Sequence, residues 1–344
     1  MNSIDEKRTH RADARPVAGD GHSPVLAAYV AEIVALAARA PSVHNTQPWR
    51  FKLNGAALEL HTDPDRQLGR LDPHGREMVI SCGAALLGVR LAVRRLGYQP
   101  IVELLPRRGR PDLLARVRLG DAEPVRASEQ RLLDAIRRRH THRGPFAAEP
   151  LPGGLVEALP RDAESEGATL VLIRDSNRYN ELATLVAAAE REQRRRPLLV
   201  GELGSWTRSR RATTRDGVPA VAFASSPAAQ RGALAQRDFD LGRGWGTLSA
   251  TDQAPALTAV LTTGGDTPAD RLRAGQALHR VLLHAAQHWV FASLHTQPLE
   301  LAPLRAAVQT ELRLPGAPQM VLQLGRAHVA RLTARRPAND FLMP

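Results

Sequence analysis

Polar and apolar residues follow two different periods in the first hundred residues of the chain. Ser23–Pro24 suits the start of a helix, and apolar residues then recur at helical spacing until Pro41 ends it. Around Asn54–Gly55 the alternation changes to every second residue, which predicts a β-hairpin. A second long helix is predicted over residues 76–96, because the apolar spacing is again helical and Gly97 follows.

The remaining chain alternates predicted strands and helices. In chain order, these are strands near 101–105 and 114–119, a helix over 129–139, a helix at 155–159, a strand at 169–173, a helix over 180–193, a strand at 256–262, a helix over 270–293 and a strand at 319–325. Residues 194–255 interrupt the pattern, because they are rich in Arg, Gly, Ser and Pro. An irregular stretch of that length is usually a lid or a disordered insertion. The polar residues 1–22 predict a flexible tail.

The two long helices share a pattern of small and aliphatic residues. The sequence G-x-A-L-x-x-V-x-L begins at Gly83 in one helix and at Gly275 in the other. Five matches without a gap indicate an internal duplication. Small and aliphatic residues also recur in any buried helix, so ordinary packing is the alternative.

The composition is that of a globular protein with an excess of positive charge. Of the 344 residues, 43% are hydrophobic and 24% are charged, which suits two domains or one large double unit. The formal net charge is +12, and a positive field attracts nucleic acid or any other anion. Aromatic residues are only 4%, and no nucleic-acid-binding motif is found. We therefore expect no nucleic-acid partner, and instead a few well-placed arginines on a phosphate-bearing small molecule.

A few residues and one apolar stretch indicate where the protein is located and whether it binds a metal. Cys82 is the one cysteine, so no disulfide forms within the chain, and a reducing compartment is expected. The apolar stretch 25–40 is too charged for a signal peptide and too short to span a membrane, so we expect a cytoplasmic protein without a membrane partner. His284 and His288 have zinc-like spacing, but Ala285 stands where a metalloprotease needs Glu, so no metal is expected.

Residues 40–51 are the first candidate for binding chemistry. They connect a helix to a strand and concentrate Ser, His, Asn, Thr and Gln between prolines. Short amides and hydroxyls on a restricted backbone suit hydrogen bonding to a polar heteroaromatic ring. An ordinary connection that places Trp49 in the core is the alternative.

The second candidate segment has Arg139, Thr141 and Arg143 at alternate positions. Two guanidinium groups and a hydroxyl at this spacing can bind a dianionic phosphate, because each Arg donates several directed hydrogen bonds. A solvated basic helix end, which complements the helix dipole, is the alternative.

Both segments resemble elements of the nitroreductase superfamily. Residues 40–51 resemble its signature loop in the His-Asn-Thr-Gln-Pro-Trp form of the Acg branch, and residues 139–143 resemble its Arg-x-Ser/Thr-x-Lys/Arg phosphate motif. The resemblance, which covers roughly residues 25–340, implies FMN as cofactor. It assigns the following residues to FMN binding: Pro41, Ser42, Asn45 and Gln47 in the loop, Arg139, Thr141 and Arg143 at the phosphate, Gln297 and Pro298 near flavin N5, and one or both of Arg335 and Arg336 at the phosphate.

The order of the two motifs implies how the chain is organised. In ordinary nitroreductases the phosphate motif is N-terminal, whereas here it follows the loop. The resemblance therefore implies an α+β fold of two fused halves that form a pseudo-dimer, with mixed, mainly antiparallel sheets packed by helices. The expected parts are the tail 1–22, a first half 23–125, and a second half 126–344 with a lid-like insertion near 194–255. One FMN is expected per monomeric chain, at the junction of the halves, and further dimerisation is left open.

The function implied by the resemblance is that of an FMN-dependent NAD(P)H oxidoreductase. The flavin would take a hydride from NAD(P)H and pass electrons to a small molecule such as a nitroaromatic or a quinone, so no catalytic side chain is assigned. The alternative is a protein that stores or sequesters FMN beneath a lid formed by the insertion.

Overall fold

A computed structural model of the protein describes residues 23–223, 234–247, 256–327 and 333–344. The helices in these ranges are α1 Pro24–Ala37, α2 Arg76–Arg95, α3 Ala127–Ala135, α4 Gly153–Glu164, α5 Ser176–Arg194, α6 Pro197–Ser205, α7 Pro268–Gln287 and α8 Ala302–Glu311. The strands are β1 Trp49–Asn54, β2 Ala57–Thr62, β3 Tyr98–Leu104, β4 Leu113–Ala122, β5 Thr169–Ile173, β6 Thr207–Arg208, β7 Val218–Pro219, β8 Leu257–Thr263, β9 Val290–Leu294 and β10 Ala317–Arg326. The tail predicted for residues 1–22 lies outside the described residues.

Two four-stranded antiparallel sheets organise these elements. The first has the order β1-β2-β4-β3 and packs against α1 and α2, and the second has the order β5-β8-β10-β9 and packs against α4 and α7. The hairpin predicted at Asn54–Gly55 joins β1 to β2, and Gly55 there has a φ of 58°, which glycine adopts without strain. Antiparallel sheets with separate helices confirm the α+β class.

Helices α2 and α7 cross in direct backbone contact between the two sheets. A Cβ built on Gly275 would lie 2.0 Å from the carbonyl oxygen of Ile80, and one built on Gly83 would lie 2.3 Å from that of Leu272. These distances are far inside van der Waals contact, so both positions require glycine. The repeated Gly-x-Ala-Leu pattern therefore lies at the crossing, as expected for a central interface. An origin by duplication stays a prediction.

The helix predicted over 270–293 is wrong at its C-terminal end. Helix α7 ends at Gln287, Trp289 takes a φ of 57°, and the next residues form β9, which pairs with β10. The Val-Phe-Ala-Ser-Leu run is apolar except for Ser293, and such a run fits a buried strand as well as a buried helix.

Residues 194–255 are not irregular throughout, which corrects the prediction. They contain α6 and the short parallel pair β6 and β7. This segment packs against Leu68 and Leu71, which lie between β2 and α2. Its own contribution includes Leu199, Leu203, Phe223 and Phe239. Two of the nine buried residues of this small core come from distant sequence, so local periodicity does not reveal it. Residues 224–233 and 248–255 of the predicted lid lie outside the described residues.

No helix in the described ranges is both long enough and apolar enough to cross a membrane.

Candidate functional site

A cleft near the crossing of α2 and α7 collects residues from seven separate segments. The empty space within it, including the part open to solvent, is about 700 Å³. Ile80 of α2 and Leu278 of α7 contribute apolar lining. The polar lining comprises Ser42 and His44 after α1, Glu77 and Ser81 of α2, Thr141 and Arg143 after α3, Gln236 and Arg237 of the insertion, and Thr296 after β9.

The loop after α1 is held in an unusual backbone conformation. His44, Asn45 and Gln47 have φ values of 44°, 59° and 53°, and each such non-glycine residue costs on the order of 1–3 kcal/mol. The hydroxyl of Ser42 accepts a hydrogen bond from the Gln47 amide at 3.0 Å, and the hydroxyl of Ser81 accepts one from the Val43 amide at 3.1 Å. The loop is therefore positioned by its own serine and by α2, with Pro41, Ser42 and His44 facing the cleft.

The side-chain amides of Asn45 and Gln47 tie this loop to the insertion and to the C-terminal segment. Asn45 Nδ2 donates to the carbonyl oxygens of Gly217 and Ala334, at 3.0 and 3.2 Å. Gln47 Nε2 donates to the Arg215 carbonyl at 2.9 Å, and Gln47 Oε1 accepts from the Arg336 amide at 2.9 Å. Asn45 Oδ1 is buried without a hydrogen-bond partner among the described residues, while Gln47 does not line the cleft.

Arg139 brings the second motif beside the first. Helix α3 ends at Ala135, earlier than predicted, so Arg139 lies in the following loop, where its side chain is 5% exposed. Its Nη2 donates to the carbonyl oxygen of Arg39 at 3.1 Å, whereas Nε and Nη1 are buried and find no acceptor in the described part of the chain. Burial, followed by the charges of Arg39 and Arg143, lowers the pKa of Arg139 to about 9.

Arg143 and Arg335 extend the positive charge around Arg139. Burial and Arg237 lower the pKa of Arg143 to about 10, and its Nη1 is also buried without a partner in the described ranges. Arg335 donates to the carbonyl oxygens of Ala38 and Ala40, at 3.0 and 3.1 Å, where α1 ends. Burial, and after it the charge of Arg139, lowers the pKa of Arg335 well below its usual value. We refer to Arg139, Arg143 and Arg335 as the arginine cluster.

The arginine cluster forms no ion pair with any carboxylate in the described residues. A buried charge without a partner is costly, and buried guanidinium donors without acceptors add to that cost. A bound dianion would supply both the opposite charge and the missing acceptors. The cluster therefore has the chemistry of a phosphate or similar anion site, and Thr141 lies on the same cleft wall as Arg143.

Of the other residues predicted to bind FMN, some lie near the arginine cluster or the cleft and others do not. Arg336 donates to Asp340 and lies 4.8 Å from the ring of Phe341, so its side chain folds onto the C-terminal turn, while Arg335 joins the arginine cluster. Gln297 Nε2 is 3.3 Å from Glu190 Oε2, and neither Gln297 nor Pro298 lines the cleft. Their neighbour Thr296, the first residue of the same sequence match, does line the cleft.

Three residues that line the cleft were not predicted from the sequence to belong to the site. Glu77 looks like an ordinary acidic residue in the first turn of a helix, yet burial and then Glu300 raise its pKa to about 8. Arg237 comes from the insertion and pairs with Glu300. His44 is buried, and burial followed by Arg237 lowers its pKa, so the imidazole is neutral. The described residues contain no group of three or more metal ligands, and His284 pairs with Asp162.

Comparison with known proteins gives close relatives in sequence. No family model matches the chain. A putative NAD(P)H nitroreductase of Mycobacterium tuberculosis (strain H37Rv) is 34% identical over 317 residues, which cover 91% of this chain and 89% of the relative. The protein named acg from the same strain, also an NAD(P)H nitroreductase by name, is 30% identical over 317 residues, covering 89% and 93%.

The solved structures that are similar to this chain share less sequence identity with it. A nitroreductase with bound FMN from Desulfitobacterium hafniense is 12% identical with a TM-score of 0.40, over 62% of this chain and 97% of that one. A second from Bacteroides fragilis, also with bound FMN, is 12% identical with a TM-score of 0.36, over 60% and 93%. Similarity this low adds no argument about the site. The sequence relatives, matched over nearly their whole length, show that the chain belongs to the NAD(P)H nitroreductase family that includes acg.

Proposed function

We propose that the protein binds one FMN in the cleft and acts as an NAD(P)H-dependent oxidoreductase on nitroaromatic or quinone-type acceptors. The observation that carries the proposal is a pair of buried arginines, Arg139 and Arg143, whose guanidinium groups keep donors without acceptors in the described residues. Arg143 lines the cleft with Ser42 and His44, and Arg139 bonds to Arg39 just before that loop. Two relatives in sequence are named NAD(P)H nitroreductases, which supports the same activity. When bound, FMN would supply hydride transfer, the step that side chains cannot perform.

The residues present fit this cofactor. Arg139, Arg143 and Arg335 would hold the phosphate, because their charge has no described carboxylate partner and donors of Arg139 and Arg143 lack described acceptors. Thr141, which lines the cleft with Arg143, would add a hydroxyl. Pro41 and Ser42 of the strained loop line the cleft and would contact the ring. Asn45 does not line the cleft, so its contact with the ring stays an expectation from sequence. We assign no ring contact to Gln47, Gln297 and Pro298 beyond the expectation from sequence, because they do not line the cleft.

We also propose that the cofactor binds at the junction of two related halves, 23–125 and 126–344. The loop and the phosphate motif come from different halves, which supports a single site per chain. The protein would then function as a monomer in the cytoplasm, with further dimerisation as the alternative.

FMN storage is a second candidate, supported by the insertion. Arg237 lines the cleft, and its guanidinium pairs with Glu300 and donates to Gln193 Oε1 at 3.1 Å. Phe239, which also lines the cleft, packs edge-on to His44 at 5.4 Å. A wall fixed by these contacts would restrict access of NAD(P)H to a bound ring while leaving the affinity for FMN intact.

Two measurements test these candidates. Purified protein should be yellow and should release FMN on denaturation, and a protein that cannot take up FMN would contradict both. Anaerobic addition of NADH or NADPH then separates the candidates. Rapid bleaching of the flavin supports the oxidoreductase, whereas bleaching by dithionite alone supports storage.

A further inference from the structure

Glu77 is a buried acid on the cleft wall that the proposed function does not use. It lies in the first turn of α2, is 4% exposed, and lines the cleft together with Ser42 and His44. Its Oε1 accepts a hydrogen bond from Arg76 Nη2 at 2.9 Å. No described residue bonds to Oε2, so one carboxyl oxygen is left for whatever binds in the cleft.

Charged groups from three segments of the chain act on Glu77. Asp72 and Arg76 face it from its own segment, Glu300 from the turn after β9, and Arg237 from the insertion. Arg76, which pairs with Glu77 Oε1, and Arg237 favour the carboxylate, whereas burial, Glu300 and Asp72 favour the acid. His44, from the loop after α1, adds no positive charge because its imidazole is neutral.

The two arginines near Glu77 are also engaged elsewhere. Arg76 donates to the carbonyl oxygen of Gln319 at 2.9 Å, and Arg237 pairs with Glu300. A proton on Glu77 removes the cost of burying this carboxylate and its repulsion by Glu300. This is consistent with the raised pKa of Glu77, about 8, for which burial is the main cause and Glu300 the second.

We propose that Glu77 is present as a neutral carboxylic acid and donates a hydrogen bond from Oε2 to an acceptor atom on a neutral heteroaromatic ring bound in the cleft. The inference rests on the proposed function, because it takes the flavin ring as the occupant. A carboxylate has only acceptor sites and would repel a ring carbonyl or imine nitrogen, whereas the acid has one donor. The cleft would thus recognise the two ends of FMN differently, with the arginine cluster on the phosphate and an acid on the ring.

The expected signature is a dependence of ring binding on pH. If only protein with protonated Glu77 accepts the ring, the apparent affinity scales with that protonated fraction and falls about tenfold for each pH unit above the pKa. Glu77→Gln keeps a neutral donor at every pH, so its affinity should not fall in this way. Glu192→Gln removes an acid from the helix surface outside the cleft and is the matched control.

Riboflavin is the decisive probe, because it carries the ring without the phosphate. Arg139 has a pKa of about 9, so FMN binding would also weaken at high pH through the arginine cluster. Flavin-free full-length protein is titrated with riboflavin and, separately, with FMN between about pH 6 and about pH 9.5, and binding is followed by quenching of flavin fluorescence. Circular dichroism at each pH checks that the protein stays folded.

The outcomes separate this inference from the proposed function. Riboflavin affinity that falls above about pH 8 in the wild type and in Glu192→Gln, but stays level in Glu77→Gln, supports the inference. Parallel pH profiles of the wild type and Glu77→Gln overturn it and leave FMN binding intact. Failure of both flavins to bind wild-type protein at any pH overturns the proposed function, and the inference with it.

A second measurement does not depend on the variant folding. The infrared spectrum of wild-type protein at neutral pH should contain the carbonyl band of a protonated carboxylic acid, and this band should shift when riboflavin is added. A spectrum in which no such band responds to riboflavin would contradict the inference.

Discussion

Arg139 Nη2 donates a hydrogen bond to the carbonyl oxygen of Arg39 over 3.1 Å, and so joins the two motifs on which the function depends. Arg39 lies directly before the signature loop, whereas Arg139 belongs to the phosphate motif. The contact uses one donor of the guanidinium group and leaves Nε and Nη1 without acceptors in the described part of the chain. A ligand that touches the loop can therefore also reach a buried, uncompensated positive charge.

Replacing Arg139 and Arg143 together by Ala should sharply reduce FMN binding. Charge-assisted hydrogen bonds contribute about 1.5–3 kcal/mol each, so the loss of two corresponds to about 10²- to 10⁴-fold in affinity. The FMN content of purified protein and titration with FMN provide the measurement. Affinity for riboflavin should change much less, because it has no phosphate.

The control for this double variant is Arg107→Ala with Arg108→Ala, which removes the same charge from an exposed turn. It should bind FMN as the wild type does. The flavin-free Arg139→Ala, Arg143→Ala protein should also melt at a higher temperature than flavin-free wild type, because unpaired buried charges have been removed. Full FMN content in this variant would show that the phosphate site lies elsewhere.

Arg335→Ala should weaken FMN binding, and Arg336→Ala should not. Arg335 belongs to the arginine cluster and also bonds to the end of α1 through Ala38 and Ala40, whereas the Arg336 side chain folds onto Asp340 and Phe341. The backbone amide of Arg336 that binds Gln47 is retained in both variants. Equal FMN affinities of the two variants, measured by fluorescence titration, would contradict the assignment of Arg335.

The sequence predicted those parts of the molecule whose structure depends on residues close together in the chain. The hairpin at Asn54–Gly55 follows from the turn requirement of the glycine, and the Pro41 loop and the Arg139 segment are short motifs. The predicted end of α7 was wrong because the mainly apolar run of β9 has no period that distinguishes a strand from a helix.

The rest of the site depends on contacts between residues far apart in the chain. Glu77 is an unremarkable helix residue until Glu300 and Arg237 are placed beside it, more than a hundred residues later. The core of the insertion needs Leu68 and Leu71, which precede it by a similar span. Charge balance and small cores of this kind are properties of the folded chain, so no spacing rule reveals them.

Gly275→Ala should destabilise the protein strongly. The added Cβ would lie 2.0 Å from the carbonyl oxygen of Ile80 and 2.8 Å from the Cα of Gly83, so α2 and α7 must move apart. Overpacking of this kind costs about 1–3 kcal/mol or more. The free energy of unfolding, from urea titration, provides the measurement.

Gly201→Ala is the control, because Gly201 lies in α6, is exposed, and has no atom within 4 Å of an added Cβ. Replacing this helical glycine by alanine should raise the free energy of unfolding by about 0.4–1 kcal/mol. If Gly275→Ala were as stable as Gly201→Ala, the two long helices could not be in the close contact described here.

The pH dependence of stability should reveal Glu77 even without flavin. Its pKa is about 8 in the folded protein and about 4.3 when unfolded, so between these values the folded state holds the extra proton. Wild-type stability therefore loses this contribution progressively as the pH rises through that window. Glu77→Gln has no such proton, so its stability relative to the wild type should increase from about pH 5 to about pH 8 and then level off. Urea titrations at several pH values measure the difference, with Glu192→Gln, a half-buried acid outside the cleft, as the control. A constant difference across the window would mean that Glu77 is ionised in the folded protein at neutral pH.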